Sequence, residues 1–427
     1  MCFLYIGTDI GILSDLVFDA PSQMEPMLPS PASEELEELA LDVARRSAAL
    51  GGSLRQEIRR PVVRMLRQMS SYYSNLIEGH FTHPLDIERA LKKDYAAEPA
   101  KRLLQLESVA HVQVQELIEG RLEAEPELDI CEPAFLSWIH KEFYERLPEQ
   151  FRLVSGPDGE TAIIEPGALR KREVNVGEHI PPTSESVPRF LARFQDAYSP
   201  TRLRTLNRIV AAAASHHRLA WIHPFLDGNG RVTRLFTHAY LIRAEVDGHR
   251  LWTVSRGLGR RRSEYIAALV QGDSPRRGDL DGRGNLSNEG LRRFCSFFLE
   301  TALDQVTFMS ELLDLAGLER RVVGYAERRA GEGRLRSEAG LLLRDVLVRG
   351  EVGRGEAGRI TGLGERLARQ IVSQLTAGGL LESETPKSAL RLGFPAEVVP
   401  YYFPRLYPPS VEVSFEARPR AEGHGKR

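Results

Sequence analysis

The stretch that decides the reading of this chain is His223-Pro224-Phe225-Leu226-Asp227-Gly228-Asn229-Gly230-Arg231-Val232-Thr233-Arg234. Gly228, Asn229 and Gly230 free the backbone for a tight turn, and the apolar periodicity resuming at Val232 and Leu235 predicts a helix directly behind it. Such a turn aims amide N–H groups at an anion, and the positive end of the helix dipole adds to the pull. Arg231 and Arg234, three apart, project from the first turn on one side of the helix. Asp227 offers one carboxylate beside this cradle, which is how Mg²⁺ is usually held, with substrate phosphates and waters completing its octahedron. His223 stands where a general base would. Taken singly, His223 reads as a structural histidine and each arginine as a solvated helix charge; their convergence favours a phosphate site.

The stretch matches H-x-F-x-[D/E]-G-N-G-R-x-x-R at every fixed position and so resembles the Fic family. The resemblance implies a mainly α fold: a Fic-type helical core with a β-hairpin flap, followed by a small winged helix-turn-helix domain. It also implies a protein adenylyltransferase, moving AMP from ATP to a Ser, Thr or Tyr hydroxyl of a target protein. His223 would be the catalytic base and Asp227 the Mg²⁺ ligand. Phe225, Gly228, Asn229, Gly230, Arg231, Arg234 and Tyr265 would bind the nucleotide, Tyr265 near the base.

Upstream, Ser74-Asn75-Leu76-Ile77-Glu78-Gly79 matches [S/T]-x-x-x-E-[G/N], the signature of the inhibitory helix in relatives that carry their own inhibitor. Alone, a Ser and a Glu four apart before a Gly is also an ordinary helix end. The resemblance implies that Ser74, Glu78 and Gly79 are inhibitory, with Glu78 pairing with Arg234 where a γ-phosphate should sit. Three other readings share these residues: removal of AMP from a modified target, a nucleotide-sensing transcriptional regulator, and transfer from another nucleotide or diphosphate donor.

The chain has 427 residues, enough for two or three domains, and a formal charge of −2, which predicts no general affinity for nucleic acid or membrane. Seven lysines stand against abundant arginine, so any lone arginine carries little functional weight. Cys2, Cys131 and Cys295 make neither a metal spacing nor a disulfide framework, which suits the cytoplasm. The apolar opening lacks a basic leader and is interrupted by Asp9 and Asp15, which excludes a signal peptide or span. Residues 1–32 are expected to be a flexible segment, with Met24 an alternative start.

From Ser33 the periodicity is helical, with a break at Gly51-Gly52 and an N-terminal region, 33–120, ending in scaffold helix. The Fic core is assigned to 121–318. Within it, Cys131 to Leu147 reads as a helix in which His140 is structural, and short extended runs between Phe151 and Pro188 read as a hairpin. The resemblance makes residues 169–177 the flap that pairs with an extended target segment. His216 and His217, adjacent and on different helix faces, are expected to pack or hydrogen-bond rather than bind metal. Residues 319–409 read as a winged helix-turn-helix, where 353–392 offers DNA contact as the lesser reading and protein docking or dimer support as the greater. Residues 410–427 are expected to be disordered, and a homodimer is implied by the family alone.

Overall fold

The computed structural model describes residues 4–5, 17–31, 33–156, 160–177 and 179–411, and helices carry most of them. A short strand β1 (Leu4–Tyr5) precedes helices α1 (Glu34–Ser53), α2 (Gln56–Ile77), α3 (Pro84–Leu91), α4 (Pro99–Ala124) and α5 (Pro133–Glu145). Strands β2 (Leu153–Ser155), β3 (Thr161–Ile163) and β4 (Asn175–Val176) lead to α6 (Val187–Tyr198), α7 (Thr205–Ile222) and α8 (Asn229–Arg243). Helices α9 (Val254–Arg260), α10 (Arg262–Gly272), α11 (Asn288–Leu312), α12 (Leu315–Gly331) and α13 (Ala339–Arg349) follow. The chain then forms β5 (Glu351–Val352), α14 (Ala357–Thr361), α15 (Glu365–Ala377), β6 (Leu381–Glu382), β7 (Leu390–Leu392) and α16 (Val399–Tyr402). Among the described residues no helix is long and apolar enough to cross a membrane.

Two compact units divide the chain: one of Met1–Gly51, Ser70–Thr82 and Ala90–Phe308, the other of Gly52–Met69, His83–Arg89 and Met309–Arg427. In the first, α7 is central because Ala211 to Ala214 are all fully buried and let neighbouring helices come close. Helix α6, which the periodicity did not reveal, presents Phe190, Phe194 and Tyr198 to this core. Phe194 lies 5.5 Å from Phe236 of α8, and the Tyr240 hydroxyl donates to the Tyr198 carbonyl at 2.7 Å. Each such aromatic contributes about 1.5–3 kcal/mol by burial.

Three expectations change here. Residues 17–31 are not a flexible lead: Met24 and Met27 are buried, and Arg218, itself fully buried, donates to the Pro26 carbonyl at 2.9 Å. Residues 1–3, 6–16 and 32, and 412–427 of the expected tail, lie outside the described residues. Gly51 and Gly52 do not break α1, which continues to Ser53; a Cβ on Gly51 would come within 2.7 Å of the His249 ring, so close packing explains that glycine. The hairpin forms earlier than the flap stretch, with Leu153 opposite Ile163, while Asn175–Val176 pairs antiparallel with Leu4–Tyr5.

In the second unit Leu342, Leu343 and Val346 of α13, Ile371 and Leu375 of α15, and Leu390 and Leu392 of β7 are all buried, with α13 against β7. Its three strands run antiparallel in the order β5-β7-β6, with Arg391 opposite both Glu351 and Glu382. Tyr402 and Phe403 at the end of α16 are buried as well, so the unit's core extends past the last strand.

Candidate active site

The site is built where α7 ends and α8 begins, within the first unit. Helix α7 stops because His223 takes a left-handed conformation, φ 50° and ψ 60°, a geometry that costs a β-carbon-bearing residue about 1–3 kcal/mol. That backbone reversal is held from outside: Arg170, 4% exposed, donates from Nε to the His223 carbonyl at 2.8 Å, and its own amide bonds the Pro224 carbonyl at 2.9 Å. Arg170 is therefore an internal strut and not part of a solvated basic run. Burial pushes its pKa below the ordinary arginine value.

The loop itself is clamped by Asn229. Its Oδ1 accepts from the Phe225 amide at 2.9 Å and its Nδ2 donates to the Phe225 carbonyl at 2.8 Å, closing the turn as a backbone pair would. Phe225 is fully buried and stacks on His140 with ring centroids 4.1 Å apart. Phe225 thus anchors the loop in the core. Gly228 caps α8 with φ 79°, and a Cβ there would meet the Tyr144 ring at 2.7 Å. Gly230 lies directly against the Glu78 carboxylate, leaving no room for a side chain.

His223 is half-buried, and burial, with His179 and Arg170 nearby, lowers its pKa to about 3. Its imidazole is neutral at physiological pH. Nδ1 lies 3.4 Å from the Ala220 carbonyl, which favours a proton on Nδ1 and a free lone pair on Nε2. Asp227 accepts from the Tyr144 hydroxyl at 2.9 Å and lies 3.4 Å from Arg231. Burial opposes its ionisation, but Arg231, the Gly228 amide and Tyr144 outweigh burial and hold the carboxyl below its usual range.

The two arginines in the first turns of α8, Arg231 and Arg234, are both buried and both engaged. Arg234 donates from Nε to the Ser74 hydroxyl at 2.8 Å, and from one Nη to the Ser74 carbonyl at 3.0 Å and to Glu78 at 2.6 Å. Glu78 is buried enough for desolvation to oppose its charge, yet Arg234 and Arg231 keep its pKa below the ordinary value. Gly79, with φ 86°, ends α2, and Arg262 of α10 caps that helix by donating to the Ile77 carbonyl at 2.7 Å. Arg231 pairs with Glu107 of α4 and lies over the Phe143 ring at 5.1 Å, while its Nε is buried without a partner.

Tyr265 is buried, and its hydroxyl is 2.7 Å from His216 Nε2, whose Nδ1 in turn meets the Thr237 hydroxyl at 2.7 Å. Burial raises the Tyr265 phenol to about 12, so it stays protonated. Both adjacent histidines are occupied: His217 Nε2 lies 3.2 Å from Asp273, and Arg218 meets its Nδ1 at 2.9 Å.

Every residue expected from the sequence thus falls in one place or within one layer of it. Three more were missed, and His140, expected to be structural, is so. Tyr144 and His140, one turn apart on α5, hold the Asp227 carboxylate and, at 3.3 Å, its carbonyl; His140 Nδ1 also accepts from the Gly167 amide at 2.8 Å. Glu107 lies in a helix expected to be scaffold, and Arg170 in the stretch expected to be the flap. No spacing rule marks these residues; a buried acid on the apolar side of α4 was the one available hint.

Residues 130–241 match the Fic/DOC family. A protein adenylyltransferase Fic of Nematostella vectensis is 32% identical over 173 residues, covering 40% of this chain and 37% of that protein. One of Drosophila erecta is 41% identical over 81 residues, covering 19% of this chain and 16% of the fly protein. The chain therefore spans well under two thirds of the length of these relatives. A solved Fic family protein from Desulfovibrio desulfuricans G20 aligns with 86% of this chain and 98% of its own, at 18% identity and a TM-score of 0.49.

Proposed function

With a Fic domain at residues 130–241 as the premise, we propose that this chain transfers AMP from ATP to a hydroxyl of a target protein. The observation that carries the reading is the convergence, at one helix N-terminus, of a neutral imidazole, a charged carboxylate, a glycine-rich turn and two buried arginines. Nε2 of His223 would accept the proton of a Ser, Thr or Tyr hydroxyl as that oxygen bonds to the α-phosphorus. The bond from that phosphorus to the bridging oxygen breaks, and pyrophosphate leaves in line. The Gly228 to Gly230 backbone receives the developing charge, Arg231 faces the β-phosphate, and its unpartnered Nε is a donor awaiting an acceptor. Tyr265 would lie toward the base. Asp227, a lone charged carboxylate, suits Mg²⁺, which when bound would supply charge neutralisation between the phosphates.

Arg234 is the γ-phosphate ligand in this reading, and Glu78 already occupies it. A charge-assisted bond inside a site with little water is strong, which supports an autoinhibited resting state. Label transfer from α-labelled ATP with Mg²⁺ tests the whole assignment on the full chain. Glu78→Gly is expected to label itself strongly and wild type weakly, and adding His223→Ala should abolish labelling with ATP binding retained. Equal labelling of wild type and Glu78→Gly would remove the inhibitory role, and loss of binding with His223→Ala would remove the base. The charged Glu78 carboxylate could equally orient a water for the reverse task; wild type stripping AMP from a protein that Glu78→Gly leaves modified would favour removal.

The order helix, strand, two helices, hairpin, with sheet order β5-β7-β6, supports reading the second unit as a winged helix module. Its arginines are largely spoken for: Arg349 and Arg359 pair with Glu356, Arg369 with Glu365, and Arg391 with Glu351 and Glu384. That balance favours protein docking or dimer support over DNA. Steeply salt-dependent binding of a duplex would reverse the preference. The target is placed along 169–177 by the same reading, and the buried free Cys131 and Cys295 fit a cytoplasmic setting.

A further inference from the structure

Glu107 is the buried carboxylate that the mechanism leaves unexplained. It sits in the middle of α4 with no exposure at all, where an unpaired charge would cost several kcal/mol. Two basic side chains from distant parts of the chain compensate it. One carboxylate oxygen pairs with Arg231 Nη1, and the other lies 2.7 Å from His80 Nδ1. Arg231 belongs to the phosphate cradle, whereas His80 stands two residues after Glu78, just past the end of α2.

We infer that Glu107 is a positioning residue that couples these two elements. With one oxygen it fixes the Arg231 guanidinium against the Phe143 ring, so that the arginine meets a phosphate in one orientation. With the other it latches the segment that follows Glu78, adding to the two bonds Arg234 makes to Ser74 and the cap Arg262 places on Ile77. Releasing Glu78 therefore requires more than parting it from Arg234: the strand of chain at Gly79-His80 must also leave Glu107. Arg231 stays paired when that happens, so the cradle keeps its shape while the inhibitor departs.

The inference rests on the AMP-transfer reading for its kinetic arm and is independent of it for its structural arm. In the Glu78→Gly background, Glu107→Gln keeps the shape and one acceptor but loses the charge. It is expected to lower kcat by roughly tenfold or more, the loss that follows when a charge-assisted bond to an arginine goes, with KM for ATP nearly unchanged. A lower KM with kcat kept would mean that Glu107 merely competes with phosphate for Arg231, and would overturn the positioning role. His80→Ala should raise basal labelling several-fold in the otherwise wild-type chain and change nothing in the Glu78→Gly background.

Amide exchange decides the latch whether or not AMP is the group transferred. In full-length His80→Ala and Glu107→Gln, residues 74–82 should exchange faster than in wild type, while the α7 to α8 loop stays protected. Unchanged exchange at 74–82 in the half-exposed His80→Ala, which carries little risk to folding, would overturn the coupling.

Discussion

Arginine does opposite jobs in the two units of this molecule. At the N-terminus of α8, Arg231 and Arg234 are 7% and 3% exposed, and their acidic partners, Glu107 of α4 and Glu78 just past α2, are more than a hundred residues away in sequence. In the second unit, Arg359 and Arg369 are exposed and pair with Glu356 and Glu365, three or four residues away on the same surface. Screened surface pairs of the second kind are worth little, whereas a buried pair, once made, is hard to break because each partner would be stranded. Arginine abundance therefore says nothing about function until burial and the origin of the partner are known.

The sharpest way to test that contrast is to remove one partner on each side. Arg231→Leu should cost about 3–5 kcal/mol of stability, since Glu107 is left buried with its nearest cation gone, and a denaturant melt would show it. If Arg231→Leu melts like wild type, the buried pair does not hold the fold together. Gly228→Ala is expected next: a positive φ and contact with Tyr144 predict a loss of about 1–3 kcal/mol with impaired labelling in the Glu78→Gly chain. Arg369→Ala should change neither the melt nor the labelling, and any sizeable drop would mean that the second unit's charges do more than solvate it.

The smallest effect is in pH. Hydrogen bonding to Glu107 raises the His80 pKa above its ordinary 6.5, against burial and Arg231 and with help from Glu78. The stabilisation from a charged His80 is thus complete below 6.5 and fades as pH rises through the folded value. The labelling of wild type, divided by that of Glu78→Gly at the same pH, should climb over that range and flatten in His80→Ala. A flat ratio in wild type would show that the latch does not need the proton.

Much of the site was legible because its chemistry is local. The turn from His223 to Arg234 needs glycine where φ is positive and an amide side chain that can bond its own backbone, and such needs are written into consecutive residues. Ser74 and Glu78 were legible for a related reason: one turn of α2 puts them on the same face, so a single arginine can reach both. Tyr144, Arg170 and Glu107 were not, because each acts across a helix interface. Their sequence neighbourhoods look like ordinary amphipathic helix or loop. The same limit applied to α6, whose aromatics are core residues only once Phe236 and Trp221 face them.

The sequence by itself determined a mainly helical chain, a candidate anion cradle with a histidine at its mouth, and a candidate inhibitor four residues long in its spacing. Those follow from backbone preferences and helix periodicity, which act over a few residues. Only the tertiary structure decided that Arg170 holds the loop shut and that Glu107 joins Arg231 to His80, and it brings Glu78 onto Arg234 as the resemblance implied. Those contacts are settled by burial: a charge removed from water must find its counterpart in space, and its partner's position in the sequence is free.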